Sequence, residues 1–189
     1  MEQEIKKCLE VLRAGGVILY PTDTVWGIGC DASNPEAVEK VYAIKRRSDS
    51  KSLVLLASDI DMVAAHVEEI PEMALQLIEV NDKPMTLIYP KAFKPALAPA
   101  VVAEDGSVAF RIPKMDFCQK LAHRLRRPLV STSANLSGAA TPRTYSEISQ
   151  EILSAVDYVV DPQWAIPGPG HASQIIKVEM DGRFKIIRA

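Results

Sequence analysis

The 189-residue chain has little of what marks several large classes of protein. Cysteine is scarce: Cys8, Cys30 and Cys118 are odd in number and far apart. They do not make the disulfide framework of a small secreted domain, and they fit a reducing cytoplasm. Histidine is equally scarce, and His66, His123 and His171 share no ligand spacing with one another or with the cysteines, which argues against structural zinc. No apolar run approaches the roughly eighteen residues of a membrane span. The start, Met1 to Lys7, is charged and helix-like, unlike a signal peptide. Neither charge dominates: the formal net charge is −2 and the pI about 6.0, unlike a general nucleic-acid binder. There is no G-x-x-x-x-G-K-[ST] loop, no G-x-S-x-G, and no His beside the Ser131-Thr132-Ser133 run. A phosphate loop and a serine hydrolase are thereby excluded.

What is present is 48% apolar residues in a length suited to one α/β domain, 1–189. Ile5, Cys8, Leu9 and Leu12 make one face of a helix over 3–14, closed by Gly15-Gly16. A short strand at 16–20 leads into Pro21-Thr22-Asp23-Thr24-Val25-Trp26-Gly27-Ile28-Gly29, read as a loop of hydroxyls, one acid and two glycines. Ser33-Asn34-Pro35-Glu36 opens a helix over 35–45, with Ser33 or Asn34 as the polar cap and a first-turn proline. Gly27-Ile28-Gly29-Cys30-Asp31-Ala32 fits a loose dinucleotide fingerprint, but the helix begins too late for it. Further strands are expected at 53–56, 85–89, 107–112, 129–132 and 156–160, with helices at 59–66, 71–80, 115–127 and 144–153. The last of these carries a Thr144 cap and Glu147 three residues on. Residues 91–105 read as a loop, and 173–178 with 184–188 as a hairpin turned at Asp181-Gly182. Early alternation and a late cluster of strands predict a single-domain, twisted, mixed open sheet flanked by helices.

Polar residues gather where strands or helices end: Thr22, Asp23 and Thr24; Lys45, Arg47 and Lys51; Ser107 and Arg111; Ser131, Ser133 and Asn135; Ser173 and Arg188. In α/β folds such ends meet in one cavity. Its cations outnumber its single acid, Asp23, so the expected cavity is basic and takes a polyanion or carboxylate. Arginine suits two-pronged carboxylate or phosphate contacts, while lysine acts as a point charge. With no nucleophile–base pair, catalysis by positioning and charge neutralisation is expected. A second basic run, Arg124, Arg126 and Arg127, reads either as a solvated face or as an RNA contact.

These segments, in order, resemble the YrdC/Sua5 family, the threonylcarbamoyl-AMP synthases, in its short single-domain form. The likeness rests on Pro21 to Gly29, on Lys45-Arg46-Arg47 with Lys51, and on Pro84-Met85-Thr86-Leu87. It continues through Val108 to Pro113 and Ser131 to Gly138. The resemblance implies a YrdC-like fold and a nucleotidyltransferase. Such an enzyme makes threonylcarbamoyl-AMP from L-threonine, bicarbonate and ATP with Mg2+, releasing pyrophosphate for the t6A modification of tRNA. It implies Thr24, Arg111 and Ser131 as threonine contacts, and Arg47, Lys51, Ser133, Thr141 and Arg188 as ATP contacts. Lys45 and Arg47 would supply catalytic positive charge. Thr22, Asp23, Ser107, Asn135 and Ser173 remain further pocket candidates, with no metal ligand among the side chains. The product would pass to the tRNA threonylcarbamoyl transferase machinery in the cytoplasm, with tRNA or double-stranded RNA as a further partner. Longer members carry an added C-terminal domain, which the resemblance to the short form does not include. Trp26, Leu56 and Gln174 depart from the family pattern, the last two at positions near expected substrate contacts.

Overall fold

Helix α1, Glu2–Arg13, follows the apolar spacing, with Ile5, Cys8, Leu9 and Leu12 buried on one face. It stops at Gly15, whose φ of +75° suits glycine, while the N–H groups of Gly15 and Gly16 turn back to the Leu12 and Val11 carbonyls. The computed structural model describes residues 1–46, 53–168 and 170–189. The chain continues through β1 (Ile18–Tyr20), β2 (Gly27–Gly29), α2 (Pro35–Lys45), β3 (Val54–Leu56), α3 (Ile60–Ala64) and α4 (Glu72–Val80). It then forms β4 (Met85–Tyr89), β5 (Val108–Arg111), α5 (Asp116–Leu125), β6 (Leu129–Ser133) and α6 (Gln150–Ala155). It ends with β7 (Tyr158–Val159), β8 (Gln174–Val178) and β9 (Phe184–Arg188).

Among the described residues the nine strands form one sheet in the order β7-β1-β2-β6-β3-β5-β4-β8-β9. Pairing is mixed: β1 with β7, β3 with β5 and β4 with β8 are parallel, the other neighbours antiparallel. The mixed sheet expected from the element pattern is therefore present, and Gly182, at φ +84°, makes the late hairpin turn.

Strand alternation then decides where everything goes. Val17, Leu19, Ile28, Leu55, Phe110 and Val130 point into the larger core, which α2 and α4 help to cover. Their neighbours Ile18, Tyr20, Leu56 and Leu129 point the other way, into a second core beneath α1 and α5. Those two helices cover only one end of that second face. Farther along it, Ile88 pairs with Ala109, Ala109 with Val54, and Val54 with Ser131. This row lines a cavity instead of packing against a helix.

Two local expectations are corrected. Gly27–Gly29 is a strand between β1 and β6, not part of a loop. A Cβ at Gly29 would overlap the Val130 carbonyl oxygen and stand 2.8 Å from the Tyr20 ring, so the glycine serves a close strand approach. The expected helix over 144–153 is broken: Tyr145–Glu147 is a single 3-10 turn and α6 starts at Gln150. The α6 cap is Ser149, which accepts the Ile152 N–H; Thr144 makes no cap bond, and Glu147 instead accepts the Arg143 N–H at 2.7 Å. By contrast the α2 start is as read, with Asn34 accepting the Ala37 N–H and Pro35 at the first position, a cap worth about 1 kcal/mol.

Candidate functional site

The uncovered sheet face opens into a cavity of about 470 Å3. Its floor is Val54, Ile88, Ala109 and Ser131, from four adjacent strands. Gly27 forms one wall; a Cβ there would stand 3.2 Å from Ser131 Oγ and 3.5 Å from Thr22 Cγ2, narrowing the space. Trp26 closes the same side, its ring centroid 5.1 Å from that of Tyr145. The opposite wall is Ser173, Ile175, Ile187 and Arg188 from the C-terminal hairpin and its approach.

Arg111 ends β5, faces this cavity and is 4% exposed. A buried guanidinium needs a counter-charge, and Asp23 supplies it: Arg111 Nη1 donates to Asp23 Oδ1. The other Asp23 oxygen accepts the Lys114 N–H at 2.9 Å. Asp23 is thus the anchor of the cavity's cation and is not itself among the lining residues.

The hydroxyls can be assigned by counting protons, since each has one to give. Thr22 Oγ1 donates to the Val25 carbonyl at 2.7 Å and accepts the Thr24 N–H at 3.2 Å. Its proton is therefore committed, and Thr24 Oγ1, 2.9 Å away, must be the donor of their shared bond. Thr24 is left facing the cavity with acceptor lone pairs, a group matched to an ammonium or hydroxyl proton. Ser107 donates to Asp105, whose carboxyl is held well below the usual range, first by that bond and then by Lys177. Ser173 shares a 2.7 Å bond with Thr86, and its carbonyl accepts from Arg188 Nε at 2.9 Å. Partial burial lowers the Arg188 pKa from its ordinary value, and the charge of Arg111 adds to this. One Arg188 nitrogen is thereby oriented while the rest of the guanidinium is available at the mouth.

Of the residues singled out in the sequence, Thr22, Thr24, Ser107, Arg111, Ser131, Ser133, Ser173 and Arg188 all line the cavity. Lys45 does not. It is buried, and its ammonium donates to the Ser133 carbonyl at 2.6 Å and to the carbonyl and side chain of Asn135. Asn135 in turn donates to the Leu136 and Ala139 carbonyls, so this pair fixes the turn after β6. Thr141 is exposed and outside the lining set. Arg47 and Lys51 lie outside the described residues. The charged lining residues among those described are Arg111 and Arg188. Leu56 packs in the second core and Gln174 is not in the lining, so neither departure from the family pattern touches the cavity. The apolar floor, Val54, Ile88 and Ala109, was not singled out; its signal was period-two alternation against Leu55, Leu87 and Phe110.

The second basic run is largely paired. Arg124 bonds Glu2, and Arg127 bonds Asp31 at 2.8 Å. Arg126 caps α5 in the left-handed region at φ +61°. The cysteines are no nucleophiles either. Burial pushes the Cys8 thiol up to about 12 and raises Cys30 and Cys118 further.

Comparison with known proteins agrees with this architecture. The Sua5/YciO/YrdC family model, described as "Telomere recombination", matches residues 10–189. A threonylcarbamoyl-AMP synthase of Photobacterium profundum is 33% identical over 158 residues, covering 80% of this chain and 84% of that protein. P. abyssi Sua5, solved with L-threonine, superposes with a TM-score of 0.85 at 24% identity over 94% of this chain. This chain spans about half of that one, 52%. E. coli YciO superposes with a TM-score of 0.80 at 24% identity, covering 100% of this chain and 89% of that one. On the extent of the family match and of the curated relative, the chain belongs to the Sua5/YciO/YrdC family.

Proposed function

We propose that the protein is an L-threonylcarbamoyladenylate synthase, a nucleotidyltransferase of the cytoplasm. It joins L-threonine, bicarbonate and ATP and releases pyrophosphate. The observation that carries this reading is the pairing, in one cavity, of an anchored cation with an acceptor hydroxyl. Arg111, which donates to Asp23 and at 3.5 Å to Thr22 Oγ1, offers its other N–H groups to a carboxylate, and Thr24 offers lone pairs to an amine or hydroxyl proton. An α-amino acid presents both complements on adjacent atoms. The curated relative from P. profundum bears the matching name, and the P. abyssi protein was solved with L-threonine.

The chemistry asks little of a nucleophilic side chain. The carbamate of threonine supplies the attacking oxygen. It forms a bond to the α-phosphorus of ATP as the bond to the pyrophosphate oxygen breaks. Charge leaves with the pyrophosphate, so what the protein must supply is alignment and positive charge. Ser131 and Ser133 lie on the same face of β6 and line the cavity; they are assigned to the amino acid and the phosphates respectively. Arg188 faces them from the other wall and contacts the nucleotide. Arg47 and Lys51 follow α2 in the sequence and are assigned to the triphosphate, and Leu53, where the described chain resumes, lines the cavity. Lys45 acts by fixing the Ser133–Asn135 turn.

Magnesium enters as the counter-ion of ATP. Among the described residues no group of three or more His, Cys, Asp or Glu is arranged to hold a metal. Its coordination would come from phosphate oxygens and water. The product passes to the tRNA threonylcarbamoyl transferase machinery.

The test couples the protein to pyrophosphatase and follows phosphate with ATP, bicarbonate and magnesium, with and without threonine. Threonine-dependent release supports the assignment. Release that ignores threonine, or none at all, refutes it.

A further inference from the structure

A second cavity, of about 250 Å3, lies on the opposite side of the strand end that carries Arg111. Ile78 of α4, Met85 and Leu87 of β4 and Phe110 of β5 make an apolar body. It holds roughly eight water volumes at ~30 Å3 each, enough for a small organic molecule. Tyr89 lines the cavity and is 1% exposed, yet its hydroxyl has no hydrogen-bond partner among the described residues. The hydroxyl is not sealed in protein either, because the only fully enclosed side-chain polar atom without a partner there is Trp164 Nε1. The phenol is thus open to water or to a polar group of a ligand.

The rim carries charge of one sign. Lys83 and Lys114 line it, and no Asp or Glu does. Lys114 Nζ donates one proton to the Asn81 carbonyl at 3.2 Å, which orients the ammonium and leaves two protons. An apolar body and a cationic rim together select a small apolar monocarboxylate.

The Pro113-Lys114 segment lines the second cavity, directly following the strand end at Arg111 that lines the first. The Gln119 side chain fixes it by donating to the Pro113 carbonyl at 2.7 Å. On its other side the Lys114 N–H holds Asp23, and Asp23 holds Arg111. Any ligand that draws Lys114 into the second cavity therefore pulls on the anchor of the first cavity's cation.

We propose that this second cavity is a binding site for a small apolar carboxylic acid, and that its occupancy is transmitted to Arg111 through Lys114 and Asp23. This does not depend on the reaction assigned above. The probe is 3-methylbutanoate titrated into isotope-labelled protein, with amide resonances followed by NMR. Saturable shifts are expected at Tyr89, Ile112 and Gln119, accompanied by shifts at Thr22, Asp23 and Thr24. Lys114→Gln should weaken binding about tenfold, the loss of one charge-assisted contact, and Tyr89→Phe should weaken it by a smaller factor. Neutral 3-methylbutanamide should bind far more weakly than the acid. The absence of saturable shifts, or equal binding of acid and amide, would overturn the site. Saturation at Tyr89 and Ile112 with no movement of residues 22–24 would overturn the transmission.

Discussion

Asp23→Asn tests the element on which the cavity depends. The side chains of Asp23 and Arg111 are 6% and 4% exposed, so the pair is largely withdrawn from water. Removing one member of such a pair leaves an uncompensated buried charge, at a cost of about 3–5 kcal/mol. Asparagine keeps the shape and one acceptor oxygen, which returns about 1 kcal/mol through a neutral hydrogen bond. The expected net loss is then about 2–4 kcal/mol, or about 4–16 °C in Tm for a chain of this size. A second effect separates this from a generic packing defect. Under the proposed role of Arg111, a bound amino acid would bring its own carboxylate to it, so threonine should raise the Tm of the variant by more than it raises that of the wild type. Thermal unfolding of both proteins, with and without saturating threonine, reads both effects. A loss below about 1 kcal/mol, or identical threonine shifts, would refute the view that Asp23 is the counter-charge of the ligand-binding arginine.

Other consequences are as direct. Gly29→Ala places a methyl group on the Val130 carbonyl within the sheet and should destabilise by about 3 kcal/mol or more, measured by urea unfolding; a neutral effect would contradict the strand approach. At pH 8 none of the three thiols should react with a disulfide reagent in the folded protein, and all three should react once it unfolds. Because the Cys8 thiol moves from an ordinary value of 9.0 to about 12, its stabilising contribution is complete below pH 9 and fades as pH rises through that window; unfolding free energy measured against pH checks the sign. Arg111→Lys keeps the charge but loses the planar fork, so threonine affinity should fall more than ATP affinity. Arg47→Ala and Lys51→Ala should do the reverse, weakening ATP roughly ten- to hundredfold.

Much of this architecture was legible in the sequence because it is local. Asn34-Pro35 marks the α2 start wherever the helix packs, and the spacing of Ile5, Cys8, Leu9 and Leu12 defines a face before its partner is known. The site was legible as a set of residues at element ends, eight of which share the cavity wall. What the sequence hid were relations across distance. Glycines carry no strand preference, so β2 is intelligible only once Gly29 meets Val130 and Tyr20. Lys45 reads as a cation at a helix end, but the carbonyls of Ser133 and Asn135 decide where its charge points. Asp23 reads as a ligand group until Arg111, far along the chain, claims it. Thr144 reads as the cap with Glu147 after it, but the helix breaks at Glu147 and Ser149 caps α6 instead.

The central claim is that this cavity joins threonine carbamate to the α-phosphate of ATP. The most direct measurement is mass spectrometry of the nucleotide formed from ATP, L-threonine and isotope-labelled bicarbonate, comparing the wild type with Arg111→Lys. The expected product is an adenylate carrying one labelled carbon and one threonine, with the variant needing far more threonine to form it. An adenylate without the labelled carbon, or none at saturating substrates, would contradict the account.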